Sequence, residues 1–261
     1  MYFFTVRHQS PSDSGESNLA KTGASVSKFE KGVISNIAKN AIGTSSEAID
    51  KTNMIEHTDN KDSDIVKNLV SYRQKNKDKV ILATLNINSI RNKFSALAEI
   101  ISKSIDVLVL QETKIDSSFP EGQFLIPGYK KPYRKDRDAH GGGILVYVRD
   151  DIPSKEISTF TVGEGTEGIF IELNFRKSKW LLLATYKPPD VSKTICLDMM
   201  SKALDFHSAK YQNFILMGDL NITDTDEDLF EFLEGHNLFN LVDFPTCFKN
   251  VENPSTIDLH K

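Results

Sequence analysis

The sequence predicts an α/β layered sandwich, in which helices cover a mixture of parallel and antiparallel strands. Short apolar and β-branched runs recur from residue 80 onward, and helical stretches separate some of them while turns join others. Parallel neighbours need a long crossover, usually a helix, so runs that follow one another directly indicate antiparallel pairs in the same layers.

Residues 1–78 differ in composition from the rest of the chain. They are rich in Ser, Asn, Lys and Asp, and apolar residues at helical spacing occur only in short stretches, around Val33 and around Leu69. Such stretches bury too little surface to form a core. We therefore expect a polar, mostly disordered N-terminal extension over residues 1–78 and a folded domain over residues 79–261.

The first part of the folded domain contains three buried strands. Residues 80–85 and 105–110 are continuous apolar runs, and apolar side chains at helical spacing over residues 94–101 predict a helix between them. Three glycines at 141–143 then lead into the apolar run of residues 144–149. The next two strands, at 169–173 and 180–186, follow with only a short turn between them.

A helix, a strand and a second helix complete the predicted elements. The helix covers residues 194–206, the strand residues 213–217, and the second helix residues 225–233, where Leu229, Phe230 and Leu233 share one face.

Polar side chains stand just after the ends of three of these runs, and a fourth set lies where residues 254–261 are expected to begin a strand. They are Asn86, Glu112, Asp219 with Asn221, and Asp258. A rigid scaffold can bring such strand-end groups together in one cavity, and their oxygens suit a hard cation such as Mg²⁺ or Mn²⁺. The sequence has no Cys/His cluster, which argues against zinc. A single strand-end carboxylate is more often a turn or cap residue, so these residues alone leave both interpretations open.

Two motifs resemble those of the endonuclease/exonuclease/phosphatase superfamily, and within it those of apurinic-type endonucleases. They are Leu-Gln-Glu-Thr-Lys at 110–114 and Met-Gly-Asp-Leu-Asn at 217–221. The resemblance spans residues 79–259. It implies a DNase I-like fold, a layered sandwich of two mixed β-sheets flanked by helices, and Mg²⁺-dependent (or Mn²⁺-dependent) phosphodiester hydrolysis.

Further motifs resemble one branch of that superfamily, the endonuclease domains of non-LTR (LINE-type) retrotransposons. These are the glycine-rich residues 138–149, Thr-Tyr-Lys-Pro-Pro at 185–189, and residues 244–248 with 255–259. Repair enzymes usually carry a Trp-Arg pattern before the late aspartate. It is missing here, so the resemblance favours the retrotransposon branch. In that branch the domain nicks genomic DNA, and the resemblance implies the same activity here.

The resemblance also implies a role for each site residue. Glu112 corresponds to the principal metal-binding carboxylate and Asn86 to its companion. Four further residues correspond to catalytic ones. Tyr186 corresponds to a tyrosine near the phosphate, and Asp219 to an acid that activates water. Asn221 corresponds to an amide that steadies the phosphate, and Asp258 to an acid that orients a histidine. Substrate contacts are expected from the polar and basic residues Lys114, Thr246, Ser255, Arg134 and Arg137.

In the family, a Ser-Asp-His segment with the catalytic histidine follows the position of Asp258. This sequence reaches Lys261 without it, and His260 is expected to be a terminal residue rather than a substitute. We therefore expect a domain that is C-terminally incomplete, lacking its last strand or strands, and impaired in nicking.

Three functions stay open on the sequence alone. The first is a DNA endonuclease domain of retrotransposon origin, the second a cellular abasic-site repair endonuclease, and the third a non-catalytic remnant that at most binds nucleic acid. The net charge of −4 argues mildly against broad nucleic-acid affinity, although local basic patches matter more. We expect DNA as the partner, a monomer, no organic cofactor, and an intracellular protein that acts in the nucleus, without a signal peptide, a transmembrane segment or membrane contact.

Overall fold

The structure is a computed structural model of the chain. It describes residues 66–101, 104–162, 165–175, 177–223 and 225–241. It also describes the backbone of three short strands, Tyr2–Val6, Ser25–Ser27 and Asp258–His260. The other residues up to 65, most of the predicted N-terminal extension, lie outside the described residues.

The first of two sheets holds six described strands in the order β2-β1-β3-β4-β6-β5. The central pair β3 and β4 is parallel, and the remaining neighbours are antiparallel. The strands are β1 (Tyr2–Val6), β2 (Ser25–Ser27), β3 (Val80–Asn86), β4 (Val107–Gln111), β5 (Tyr133–Lys135) and β6 (Ile144–Val148).

The second sheet holds five described strands in the order β11-β10-β9-β8-β7. Here β9 and β10 are parallel, and the other neighbours are antiparallel. The strands are β7 (Ser154–Val162), β8 (Thr166–Phe175), β9 (Ser178–Tyr186), β10 (Phe214–Asp219) and β11 (Asp258–His260).

In the described part of the chain, four α-helices flank the sheets: α1 (66–75), α2 (Phe94–Ile101), α3 (Lys193–Ser208) and α4 (Glu227–Gly235). The side chains of Ser192 and Asp226 accept hydrogen bonds from the first-turn backbone of α3 and α4, which explains where these two helices begin. Among the described residues, no helix combines the length and the apolar character that crossing a membrane requires.

Apolar side chains on both faces of each sheet produce the layered arrangement. Alternate residues of β4 point in opposite directions: Val107 and Val109 face the second sheet, whereas Leu108 and Leu110 face α1 and α2. The outer face of the second sheet packs against α3 and α4. The predicted fold class, two mixed β-sheets flanked by helices, is therefore confirmed.

Helix α1 extends the packed part of the chain upstream of the start expected at Lys79. Its Leu69 is buried in the core, and Arg73 contacts the buried carboxylate of Asp106 at the beginning of β4. The periodicity around Leu69 was too short to predict a helix, because its stability comes from these tertiary contacts. The division of the chain at residues 78 and 79 stays a prediction.

The sequence also missed β7, the edge strand of the second sheet. Its residues Ser-Lys-Glu-Ile-Ser-Thr-Phe-Thr-Val lack the apolar run typical of buried strands. The strand pairs with β8 through its backbone, and the register shifts between Glu156 and Ser158. Irregularity and exposed polar residues are common at sheet edges, where they discourage pairing with other chains.

Candidate active site

The ends of four central strands meet at one edge of the two sheets. Asn86 is the last residue of β3, and Glu112 directly follows β4. Tyr186 and Asp219 are the last residues of β9 and β10 in the other sheet. Each pair of parallel strands delivers two polar side chains to the same edge, and the stacking of the sheets brings the two pairs together.

Hydrogen bonds join these four side chains directly. The Asn86 Nδ2 donates to Glu112 Oε1 at 2.8 Å and to Asp219 Oδ2 at 2.9 Å. The hydroxyl of Tyr186 donates to the same Glu112 Oε1 at 3.1 Å. Residues separated by up to 133 positions in the chain therefore share one polar cluster.

The oxygen atoms of this cluster fit a hard divalent cation. Two carboxylates, from Glu112 and Asp219, converge on the single amide of Asn86, and a half-turn of that carboxamide exchanges its nitrogen for its oxygen. Among the described residues, no three His, Cys, Asp or Glu side chains are grouped to hold a metal. A cation here would take the carboxylate of Glu112 and the amide oxygen of Asn86, ligands of the kind that Mg²⁺ prefers, with the carboxylate of Asp219 beside it.

The turns that carry these residues have unusual backbone geometry. Positive φ angles occur at Asn88 (45°), Glu112 (51°), Lys114 (54°) and Asn221 (49°), all in the segments that follow β3, β4 and β10. Non-glycine residues adopt this conformation only when their surroundings enforce it, and such residues are frequent at functional sites.

Burial and charge both act on Tyr186. Burial raises the pKa of its phenol, and the neighbouring carboxylate of Glu112 raises it further. The hydroxyl therefore stays protonated and acts as a hydrogen-bond donor at neutral pH. Lys114 adds positive charge beside the carboxylates, since its Nζ lies 3.6 Å from Glu112 Oε2 and 2.5 Å from Asn88 Oδ1.

Asn221 and Lys187 link the ends of β9 and β10. The backbone N–H of Asn221 donates to Asp219 Oδ1 at 3.0 Å, and its Nδ2 donates to the Lys187 carbonyl at 2.8 Å. The Lys187 Nζ is buried and donates to the carbonyls of Pro188 and Val191. Lys187 thus holds the loop after Tyr186, and Asn221 supports the Asp219 turn.

The two arginines predicted to contact substrate lie in different environments. Arg137 lies over the Tyr186 ring, with its Cζ 5.9 Å from the ring centroid, and its side chain is partly exposed. Arg134 instead donates to the carbonyls of Asp116 and Phe119 and to the carboxylate of Asp136. Arg137 is therefore next to the cluster, whereas Arg134 braces a neighbouring loop.

The structure describes neither Thr246 nor Ser255, and it describes only the backbone of Asp258. This backbone pairs in register with Asp219 across the antiparallel β10–β11 ladder. The predicted roles of all three residues stay predictions.

Glu167, a buried carboxylate near this cluster, was not among the residues predicted from the sequence. It accepts a hydrogen bond from the Gly143 N–H at 2.7 Å, and burial raises its pKa. The predicted residues lie at or after the ends of strands, whereas Glu167 lies near the beginning of β8. Because β8 is antiparallel to β9, this residue is the register partner of Tyr186.

Comparisons with known proteins show a family and a shared fold. The model of the Endonuclease/Exonuclease/phosphatase family matches residues 83–258. The solved endonuclease domain of TRAS1, a telomere-specific non-LTR retrotransposon, is 17% identical with a TM-score of 0.52, covering 68% of this chain and 81% of that one. A search of curated proteins gives no match.

Two further solved structures have similar scores. An endonuclease/exonuclease/phosphatase family protein from Leptotrichia buccalis C-1013-b is 17% identical with a TM-score of 0.51, covering 68% of this chain and 84% of that one. The AP endonuclease LMAP from Leishmania major is 15% identical with a TM-score of 0.52, covering 69% and 77%. The TM-scores show a common fold, and at these low identities the structures show nothing beyond the fold. The family match covers most of the chain, including all four clustered residues, and the chain therefore belongs to the Endonuclease/Exonuclease/phosphatase family.

Proposed function

We propose that this chain is a Mg²⁺-dependent DNA endonuclease domain that nicks one strand by phosphodiester hydrolysis. The observation that carries the proposal is the cluster in which Asn86 joins Glu112 to Asp219 and Tyr186 donates to Glu112. A hydrolytic phosphodiesterase needs two functions at one place, cation binding beside a phosphate and a carboxylate beside the attacking water. The cluster offers residues for both.

Each residue has a distinct part in the proposed reaction. A divalent cation, when bound, supplies the Lewis acid that polarises the phosphate. Glu112 and the Asn86 amide would hold it, and the buried carboxylate of Asp219 would orient the attacking water. Tyr186 keeps its proton and fixes Glu112 by hydrogen bonding. Asn221 holds the turn that follows Asp219 and would steady the phosphate.

Positive charge beside the cluster suits a phosphate backbone. Lys114 is 24% exposed and Arg137 28% exposed, so both combine contact with the cluster and access to solvent. Basic side chains at such positions neutralise DNA phosphates and give binding that weakens with salt. We propose these two residues, together with Thr246 and Ser255, as the DNA contacts nearest the reacting phosphate.

We further propose that the domain originates from a non-LTR retrotransposon and acts on nuclear DNA as a monomer. The support is the set of motifs at residues 138–149, 185–189 and 244–248. A cellular abasic-site endonuclease is the second candidate, since the Leishmania major AP endonuclease has the same TM-score as the TRAS1 domain. The fold does not favour one over the other, and the DNA substrate decides between them.

The test of the reaction is nicking of supercoiled plasmid in Mg²⁺, with and without a chelator. We expect Asp219→Ala to lower the rate by about 10²–10⁴-fold, the usual contribution of a positioned acid–base group. Asp150→Ala is the matched control, because Asp150 is an exposed aspartate beyond the opposite end of β6. We propose that this chain, without the Ser-Asp-His segment, nicks at a reduced rate. Nicking that persists in Asp219→Ala or in the chelator would contradict the proposal, as would the absence of any detectable nicking.

A second assay compares an intact duplex with a duplex that contains one abasic site. Equal rates on both support the retrotransposon-type endonuclease, because that activity does not require a damaged base. A rate at least tenfold higher on the abasic duplex favours the repair enzyme. A chain that binds both duplexes and cleaves neither is a non-catalytic binding protein.

A further inference from the structure

Glu167 lies outside the hydrogen-bonded cluster, yet it contacts two segments that reach Glu112 independently. The residue is only 1% exposed, although it carries a carboxylate. Burying such a group is unfavourable unless it is hydrogen-bonded or paired, so its contacts indicate what it contributes. One contact is with the backbone of Gly143 and the other with the side chain of Arg137.

The first connection runs through the glycine turn before β6. The Gly143 N–H donates to Glu167 Oε2 at 2.7 Å. The carbonyls of Gly143 and Gly142 then accept from the N–H groups of Thr113 and Lys114, at 3.2 Å and 3.0 Å. Thr113 and Lys114 directly follow Glu112, so Glu167 in the second sheet holds the turn that carries Glu112 in the first.

The space around this glycine turn is closely filled. A Cβ on Gly143, whose φ is +88°, would lie 2.3 Å from Thr113 Oγ1, and one on Gly142 would lie 2.9 Å from Glu167 Oε1. The turn therefore fits between Glu167 and the Glu112 segment only without side chains. A movement of Glu167 would be transmitted to that segment, because close-packed contacts leave little slack.

The second connection runs through Arg137. Its Nε lies 3.7 Å from Glu167 Oε1 and donates to the Gly141 carbonyl at 3.1 Å. The guanidinium carbon lies 5.9 Å from the centre of the Tyr186 ring, within the range of a cation–π contact. Tyr186 in turn donates to Glu112 Oε1, so this connection ends at the same carboxylate.

We propose that Glu167 is a positioning residue, which orients Glu112 for cation binding through the Gly143 turn and through Arg137 and Tyr186. The proposal rests on the proposed function in that it assigns cation binding to Glu112. In this proposal Glu167 acts through these groups and is assigned no contact with the cation or the phosphate. Such outer groups typically change metal affinity about 10–100-fold when removed.

The chain contains a matched control, Glu172. It stands on the same strand, β8, is 4% exposed, and accepts a hydrogen bond from the Tyr211 hydroxyl at 2.6 Å. Its other polar neighbours include Lys155, Lys179 and Asn174, none of which belongs to the cluster. Removing Glu172 therefore reproduces the loss of a buried carboxylate from β8 without affecting either connection.

The first measurement is hydrogen exchange in the metal-free chain, at the amides of Thr113 and Lys114. Glu167→Ala leaves the Gly143 N–H without its acceptor, and we expect these two amides to exchange about tenfold faster. Glu172→Ala should leave them at the wild-type rate. Because neither metal nor DNA is present, this result does not depend on the chain being a nuclease.

The second measurement is Mn²⁺ affinity by calorimetry on the full chain. We expect Glu167→Ala to weaken it about 10–100-fold and Glu172→Ala to leave it unchanged. Glu167→Gln keeps an acceptor for Gly143 but loses the charge facing Arg137, so it tests the second connection alone. If that connection acts through Arg137, adding Arg137→Met to Glu167→Gln should weaken Mn²⁺ binding no further.

Wild-type exchange rates and wild-type Mn²⁺ affinity in the folded Glu167 variants would overturn the proposal, as would equal effects from Glu172→Ala. If Glu167→Ala does not fold, Glu167→Gln and Arg137→Met decide, because each breaks only the Arg137 connection. A wild-type chain that binds Mn²⁺ and responds to Glu167 but does not nick DNA would refute the proposed function alone. A wild-type chain that binds no Mn²⁺ would refute both.

Discussion

Gly218 precedes Asp219 in β10, and replacing it with alanine should damage both stability and the active site. Gly218 is the register partner of Thr185 in the parallel β9–β10 ladder, and the next pair is Asp219 with Tyr186. A Cβ at Gly218 would lie 1.9 Å from the Thr185 carbonyl oxygen and 2.8 Å from its carbonyl carbon. Ordinary contact begins at 3.4 Å, so the two strands would have to separate.

The expected cost follows from what blocks the new methyl group. A flexible side chain could move aside, but here the obstacle is the backbone of a neighbouring central strand. Overpacking of this kind costs about 1–3 kcal/mol of unfolding free energy. In a domain of 150–250 residues, this lowers the Tm by roughly 2–12 °C. The same shift moves Asp219 away from Asn86, so we expect weaker Mn²⁺ binding as well.

Urea denaturation followed by circular dichroism measures the stability, and calorimetry measures Mn²⁺ binding. Gly122→Ala is the control, since a Cβ there would meet nothing within 4 Å. We expect Gly122→Ala to behave like the wild type or to be slightly more stable, because alanine loses less backbone entropy on folding. A Gly218→Ala chain with wild-type stability and Mn²⁺ affinity would refute the reasoning about this close approach.

Three further predictions concern the metal, the fold and pH. Glu112→Gln should weaken Mn²⁺ binding at least about tenfold in calorimetry, and unchanged affinity would remove Glu112 from the cation site. Asp106→Ala removes the buried carboxylate that Arg73 and Arg149 share. Urea denaturation should show that the free energy of unfolding falls by about 2–4 kcal/mol, a moderate value because Arg149 is 42% exposed. A fall no larger than that of Asp150→Ala would contradict this prediction. Burial lowers the pKa of His207, so the ring resists protonation in the folded state. The stability that the neutral His207 ring contributes is complete above the unfolded pKa of about 6.5. It is lost as the pH falls towards the lower folded pKa. His207→Gln should therefore reduce the fall in urea midpoint between about pH 7.5 and pH 5.5, and a fall as steep as that of the exposed control His140→Gln would count against this explanation.

Local patterns in the chain predicted the layers of the fold and pointed to Asn86, Glu112 and Asp219, whereas Tyr186 was expected only from the family resemblance. Apolar runs such as residues 105–110 identify buried strands because a strand covered on both faces needs continuous apolar side chains. Asn86 and Glu112 end or follow two neighbouring parallel strands, so both are expected at the same edge of their sheet. Local patterns do not show that this edge meets Asp219 of the other sheet; the stacking of the sheets places Asn86 within hydrogen-bonding distance of both carboxylates.

The tertiary structure revealed what depends on contacts between distant segments. Nothing near Glu167 in the sequence indicates that it meets Gly143 and Arg137, because only the pairing of β8 with β9 and the stacking of the sheets bring it there. Helix α1 similarly depends on the pocket for Leu69 and on the Arg73–Asp106 contact rather than on its own helical propensity. A buried polar residue is stable only with hydrogen-bond or ionic partners, and here those partners come from distant parts of the chain. The sequence contains these partners, but only the folded arrangement shows which of them contact each other.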